Sequence, residues 1–273
     1  MDIMKELGCS TILYGGFSLD EALAGIAKAG YKAIELCARP GMAPHLEIGK
    51  PASYYEEVRA KAASHGIAIE SIAGTGGIAM DSPGFDEVIE AAKLVGAPAI
   101  AEGAGGRADD EESFKQVVSR INAISERTSK AGIKLSLKPH VGNAVYSTQT
   151  ALRFMGEVDR EWVGINFDAS HIWRTEAAED PIESLKQLKN YVMTLRIRDN
   201  RASRERPIGP VETQIPGKGA MDLPALTAVM KTIEQVDYVT LEIVGTHGGT
   251  NTPLAEVQRV VGAAFAYLKP LLA

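Results

Sequence analysis

Short apolar runs alternate with amphipathic stretches eight times along this chain of 273 residues, and no low-complexity linker separates any two of them. That alternation is the signature of β/α units building a parallel sheet. The first unit is the clearest. Leu7-Gly8-Cys9-Ser10 reads as a strand, and Ser18-Leu19-Asp20-Glu21 is a capping box that opens a helix over 21–29 before Gly30. Ser18 can accept from a free amide while Glu21 reaches back to the cap, and Gly30 suits a left-handed stop. The later units pair strands at 33–36, 67–72, 97–101, 133–138, 163–168, 192–198 and 239–243 with helices at 54–64, 85–94, 111–130, 148–155, 182–189, 223–233 and 254–271. Eight such units in a chain of this length favour a single closed (β/α)8 TIM barrel over residues 1–273, rather than an open doubly wound sheet.

Four segments in the second half alternate apolar and polar residues and then end in charge: Leu135-Ser136-Leu137-Lys138, Ile165-Asn166-Phe167-Asp168, Leu195-Arg196-Ile197-Arg198 and Leu241-Glu242-Ile243. Side chains two apart on a strand share a face. If the apolar set packs outward under the helices, Lys138, Asp168, Arg196 and Glu242 point into one central space. Four converging charges are costly unless they compensate one another or serve chemistry.

In such a barrel the reactive groups sit at the carboxyl ends of the strands. Lys138, His140, Asp168, His171, Arg196, Arg198 and Glu242 all fall at or just past those ends. The bland alternative is an ionic plug, and ion pairs need not add stability because desolvation offsets the attraction. His140 and His171 follow strand-end charges by two and three residues, which places them at the site lining; His45, His65 and His247 have no inferable partner. Trp173 is a candidate apolar wall for a sugar face, with packing as its alternative. Glu35 and Glu70 share inward faces with Ala33 and Ala68, and Glu102 reads in either register.

Composition narrows the function classes. A net charge of −6 and a pI near 5.5 argue against a nucleic-acid surface. Cys9 and Cys37 form no metal or redox motif and read as buried thiols in a reducing compartment. There is no run approaching the ~20 apolar residues of a membrane span and no signal-peptide pattern, so a cytoplasmic location is expected. No G-x-G-x-x-G follows the first strand, and Gly103 to Gly106 and Gly217-Lys218-Gly219 read as turns.

The chain resembles the sugar phosphate isomerase/epimerase family, the xylose-isomerase-like barrels. The likeness is carried by Ser18 to Leu23 with Ala29 to Leu36, by Asn166-Phe167-Asp168-Ala169-Ser170-His171, and by Gly217-Lys218-Gly219 before Leu223. The resemblance implies a divalent cation held by Glu, Asp, His and Glu at the ends of the fifth to eighth strands. The corresponding positions here are Lys138, Asp168, Arg196 and Glu242, so two ligands have become cations. Neither an ammonium nor a guanidinium has a lone pair for coordination. This substitution leads to the expectation of no cofactor, with a divalent metal such as Mn2+ or Mg2+ less favoured. Opposite charges at ~4 Å and an effective dielectric near 20 attract by roughly 4 kcal/mol, enough to hold Lys138 against either acid.

The expected activity is isomerisation or epimerisation of a sugar, keto-sugar or sugar acid by proton transfer next to a carbonyl, with a small carbohydrate-like molecule as the binding partner. Glu242 is the candidate base, Lys138 and Arg196 the enolate stabilisers, and His171 or His140 the second proton carrier. Asp168 orients the cations, and Arg198 is placed to hold a carboxylate or phosphate. Two rivals stand beside this reading: a Schiff-base lyase using Lys138, and a ligand-binding barrel that has lost its metal site. Neither nucleic acid nor membrane is an expected partner. The resemblance is compatible with a homo-oligomer, and the segment Asn200 to Met221, with Arg201, Arg204 and Arg206, reads as a lid or a contact between copies.

Overall fold

The computed structural model describes residues 4–175, 177, 179–205, 207–246 and 251–273; His247 and Arg206 lie outside them. Each apolar run becomes a strand because its side chains are buried on both faces, outward beneath helices and inward on the barrel axis. The chain enters through β1 (Glu6–Ser10), α1 (Leu19–Ala29), β2 (Ala33–Arg39), a short β3 (Ala43–Pro44), α2 (Ala52–Ser64) and β4 (Ala68–Ala73). It continues through α3 (Phe85–Val95), β5 (Ala99–Gly103), α4 (Glu111–Lys130), β6 (Lys134–Lys138), α5 (Thr148–Glu157) and β7 (Val163–Asp168). The last part holds α6 (Ala169–Trp173), α7 (Pro181–Leu188), β8 (Val192–Ile197), α8 (Val211–Gln214), α9 (Leu223–Met230), β9 (Tyr238–Leu241) and α10 (Leu254–Leu272).

Strands β1, β2 and β4 to β9 are parallel, and β1 pairs with both β9 and β2, which closes the barrel. The two-residue β3 is an antiparallel appendage of β2. The capping box forms as expected: the Ser18 amide donates to Glu21 Oε2 at 2.9 Å and the Glu21 amide to Ser18 Oγ at 3.3 Å. Gly30 then ends α1 in the left-handed region at φ 106°.

Sequence and structure differ at two places that bear on the site. Strand β5 starts two residues later than expected, after Pro98, whose carbonyl accepts from Lys134. Glu102 is therefore inside the strand, opposite Leu137. Second, a short helix, α6, follows directly on β7, and the Asp168 side chain caps it by accepting from the Ser170 amide. The turn expected at Gly217-Lys218-Gly219 forms, clamped by Asp199, which accepts from the amides of Gly217 and Met221 at 3.0 Å each. Those amides are spent on the loop itself. Among the described residues no helix is long and apolar enough to cross a membrane.

Candidate active site

A cavity of about 410 Å³ opens at the carboxyl ends of the strands. Period-two alternation delivers its charged lining. Leu135 and Leu137 of β6 are buried beneath the helices, so Ser136 and Lys138 face the axis, where Ser136 Oγ meets Thr194 Oγ1 of β8 at 2.7 Å.

Lys138 stands between two acids. Its Nζ donates to Glu242 Oε2 at 2.6 Å and to Asp168 Oδ2 at 3.3 Å. Arg198, just past β8, donates from Nη2 to Asp168 Oδ2 at 2.5 Å and from Nε to Ser170 Oγ at 2.7 Å. Asp168 also accepts from Ser170 Oγ at 2.8 Å. Burial is the largest influence on both acids and opposes their ionisation. The surrounding cations outweigh it: Arg198 and Lys138 hold the Asp168 carboxyl well below its usual range, and Lys138 and Arg198 hold Glu242 below its own.

The two histidines have assignable roles. Their rings stack with centroids 4.1 Å apart and planes tilted by 39°. Burial holds both imidazoles below their ordinary pKa, with the Lys138 charge adding to it, so both are neutral near pH 7. A neutral imidazole has one donor and one acceptor nitrogen, and the partner of one fixes the other. His171 Nδ1 lies 3.3 Å from Arg174 Nη2, which can only donate, so the proton of His171 is on Nε2, 3.7 Å from Asp168 Oδ2. His140 Nδ1 lies 2.9 Å from the Val141 carbonyl, which can only accept, so His140 keeps Nε2 as its acceptor. The pair offers one donor and one acceptor.

Arg196 does not join this group. It is fully buried below the cavity, and its five N–H donors are all engaged. Nε and Nη2 donate to Glu35 Oε2 at 2.9 and 2.5 Å, Nη1 to Glu70 Oε1 at 2.7 Å and to the Leu195 carbonyl at 3.1 Å, and Nη2 also to Ser71 Oγ at 3.0 Å. The expectation that Arg196 stabilises an enolate is corrected by this geometry, because no donor is left to aim at a substrate. Arg198 lines the cavity with its Nε and Nη2 donating to Ser170 and Asp168, so a grip on a carboxylate or phosphate falls to its remaining N–H donors. Trp173 is outside the cavity lining: its Nε1 donates to the Arg201 carbonyl at 3.1 Å and Arg204 stacks over its ring at 4.0 Å. Glu35 reaches the lining while paired with Arg196, and Glu102 reaches it while paired with Arg39 at 2.7 Å. His45 is buried elsewhere against the Phe17 carbonyl, and His65 is exposed.

The sequence reading missed Arg39, Asn143 and Arg174, all in the lining. Arg174 is buried beside Arg198, and desolvation followed by that neighbouring charge lowers its pKa to about 10. The signal for it was available: Asp168-x-x-His171-x-x-Arg174 places each residue one turn after the last. The segment Asn200 to Met221 contributes Ile208 to the cavity wall.

The profile of the xylose isomerase-like TIM barrel family matches residues 23–269. The chain belongs to that family. A curated relative, inosose dehydratase of Clostridium perfringens, is 23% identical over 144 residues, 49% of this chain and 48% of the relative. The chain thus spans half or less of the length of the curated relatives it matches. D-psicose 3-epimerase, solved in the presence of D-fructose, superposes with a TM-score of 0.77 at 15% identity, over 98% of this chain and 99% of that one. The IolI protein, solved with a bound zinc atom, superposes with a TM-score of 0.74 at 20% identity, over 98% of each chain. That zinc overturns the expectation that the site works without a cofactor, and metal independence does not stand as a property of this chain. The donor set of the chain itself does not fit the four-ligand cation site that the resemblance implies. An ammonium lies between Asp168 and Glu242, Arg196 has no lone pair, and among the described residues no three His, Cys, Asp or Glu side chains are grouped to hold an ion.

Proposed function

We propose that this chain catalyses proton transfer at a carbon next to a carbonyl in a small polyhydroxylated, sugar-like substrate, giving an isomer or epimer. The carrying observation is the juxtaposition, at the cavity surface, of an ionised carboxylate and an ammonium 2.6 Å apart, with one donor and one acceptor imidazole beside them. The inosose dehydratase and sugar epimerase relatives support the same substrate class.

Glu242 takes the proton from carbon. Paired with Lys138 it is a weak base, which is what keeps it ionised at neutral pH. As charge develops on the carbonyl oxygen, Lys138 turns its donor from Glu242 to that oxygen. The same movement stabilises the enolate and restores basicity to the carboxylate. His171 Nε2–H donates to a second substrate oxygen, and His140 Nε2 takes the proton that a neighbouring hydroxyl releases. Return of the proton by Glu242 to the adjacent carbon, with the hydroxyl proton passing by way of His140 to the former carbonyl oxygen, gives an isomer; protonation of the original carbon by a different donor, on the face away from Glu242, gives an epimer. Asp168 holds Lys138 and Arg198 in place.

The test is solvent deuterium incorporation by NMR in D2O, with ketoses, inososes, sugar acids and their phosphates, run with a chelator and again with added Zn2+, Mn2+ or Mg2+. Exchange next to the carbonyl, lost in Glu242→Gln, supports the reading; absence of exchange in every arm overturns it. Mutual pairing of Lys138 with both acids is also what a ligand-binding barrel shows, and saturable binding of a sugar with no exchange in any arm identifies that outcome. Borohydride trapping of a keto-sugar on Lys138 identifies a Schiff base, which the engagement of Nζ by two carboxylates disfavours.

A further inference from the structure

Two guanidinium groups at the end of β8 are spent differently. Arg196 uses all of its N–H donors inside the protein, whereas Arg198, only 3% exposed, uses two. A guanidinium is a planar fork with more than one usable edge. The edge made by Nε and Nη2 of Arg198 is occupied, by Ser170 Oγ at 2.7 Å and Asp168 Oδ2 at 2.5 Å. The outer edge, made by Nη1 and the second N–H of Nη2, has no hydrogen-bond partner among the described residues; Glu242 Oε1, at 3.7 Å from Nη2, is too distant. Nη1 is not one of the orphaned atoms sealed from solvent, so its N–H groups open on the cavity that Arg198 lines.

Charged donors left unbonded in a desolvated wall are costly, and the two parallel N–H groups of such an edge match the two oxygens of a carboxylate. A phosphate matches less well. It carries close to two negative charges near neutral pH, and the Glu242 carboxylate already stands beside the same nitrogen. Arg174 adds a second guanidinium to the same wall, with its Nε donating to the Ser170 carbonyl at 3.1 Å. Its charge and that of Arg198 repel, and an anion held by Arg198 offsets that repulsion. We infer that the outer edge of Arg198 is a carboxylate subsite, so that the substrate is a sugar acid whose carboxylate is held beside the reacting carbon. Glu242 fixes that relation, because Lys138 stands 2.6 Å from its Oε2 and Arg198 3.7 Å from its Oε1. With the carbonyl at Lys138 and the carboxylate at Arg198, the C–H offered to Glu242 is close to both groups. This rests on the proton-transfer reading above and narrows its substrate class.

The experiment crosses the side chain with the charge of the ligand. Aldonates, uronates and keto-aldonates are each compared by calorimetry with the neutral sugar or polyol of the same configuration, and sugar phosphates form a third arm. The proteins are the wild type, Arg198→Met and Arg198→Lys, with deuterium exchange followed in parallel. The expected result is that a sugar acid binds the wild type about tenfold to a hundredfold more tightly than its neutral counterpart, the usual worth of hydrogen bonds to a charged group. Arg198→Met is expected to abolish that ratio. Arg198→Lys, which keeps a positive charge beside Asp168 without the fork, is expected to reduce it. The wild-type arm decides even where a variant fails to fold: if no acid is preferred, the inference is overturned, and exchange with neutral sugars then leaves the proton-transfer reading standing. A preference for acids that survives Arg198→Met, or an Arg198-dependent preference for phosphates over carboxylates, also overturns it. If acids are preferred through Arg198 but no ligand exchanges a proton, the subsite stands and the catalytic reading falls. Failure of the wild type to bind any member of the panel overturns both.

Discussion

Lys138 and Arg196 are both cations pointing into the same barrel, two strands apart, yet they occupy different regimes. Arg196 is sealed, with five donors matched by Glu35, Glu70, Ser71 and a backbone carbonyl. Lys138 is 12% exposed at a cavity wall, and its short bond to Glu242 can be exchanged for one to a substrate oxygen. A planar fork fixed on all sides is a structural strut, whereas a flexible point charge beside open space is a group that can move. The lower layer holds the barrel's interior charges in place; the upper layer has the freedom chemistry needs.

Removing Arg196 tests this contrast most severely. Arg196→Met leaves Glu35 and Glu70 buried without their cation, and breaking such a set by deleting one member costs about 3–5 kcal/mol. That is a fifth or more of the stability of an ordinary domain. Urea denaturation is expected to show this loss, and the triple variant Glu35→Gln, Glu70→Gln, Arg196→Met is expected to recover most of it. A single variant as stable as the wild type refutes the strut.

The upper layer predicts the reverse pattern. Glu242→Gln leaves Lys138 bonded to Asp168, so the denaturation midpoint is expected to move little, while deuterium exchange falls by about 10²–10⁴-fold, the usual worth of a positioned base. Large destabilisation with exchange intact would make Glu242 another strut and erase the distinction between layers.

Alternation made the ring of strand-end charges legible, since Lys138, Asp168, Arg198 and Glu242 follow from a period of two and the apolar residues between them. It did not separate Arg196 from Arg198. Both share the inward face, and what seals the first is a pair of acids on β2 and β4, distant in sequence and brought opposite only by barrel closure. Arg39 was missed because its place at the cavity depends on the β2–β3 hairpin and on Glu102 lying inside β5. The roles of the histidines were equally hidden. They are set by the Val141 carbonyl and the Arg174 guanidinium, partners that a strand pattern does not reveal.

The smallest expected effect is the share of the pH dependence that the upper layer contributes. His171 is held neutral chiefly by burial; Asp168 favours its protonation, but Lys138, Arg198 and His140 oppose it. Its folded pKa is therefore below that of the unfolded chain, near 6.5. As pH falls through about 6.5 the unfolded chain takes up a proton that the folded chain refuses, so stability declines on the acid side by at most about 1.4 kcal/mol per pH unit for this group. Above pH 7 neither state binds the proton and the slope vanishes. His171→Asn is expected to flatten the urea-midpoint profile between pH 7 and 5, leaving the smaller contribution of His140, whose pKa is lowered in the same direction. The rest of the profile carries His45, which burial also holds below its ordinary pKa, and Glu70 of the strut, whose carboxyl burial raises and whose slope has the opposite sign. An undiminished acid slope in His171→Asn places the titrating group elsewhere and removes the neutral His171 donor from the proposed chemistry.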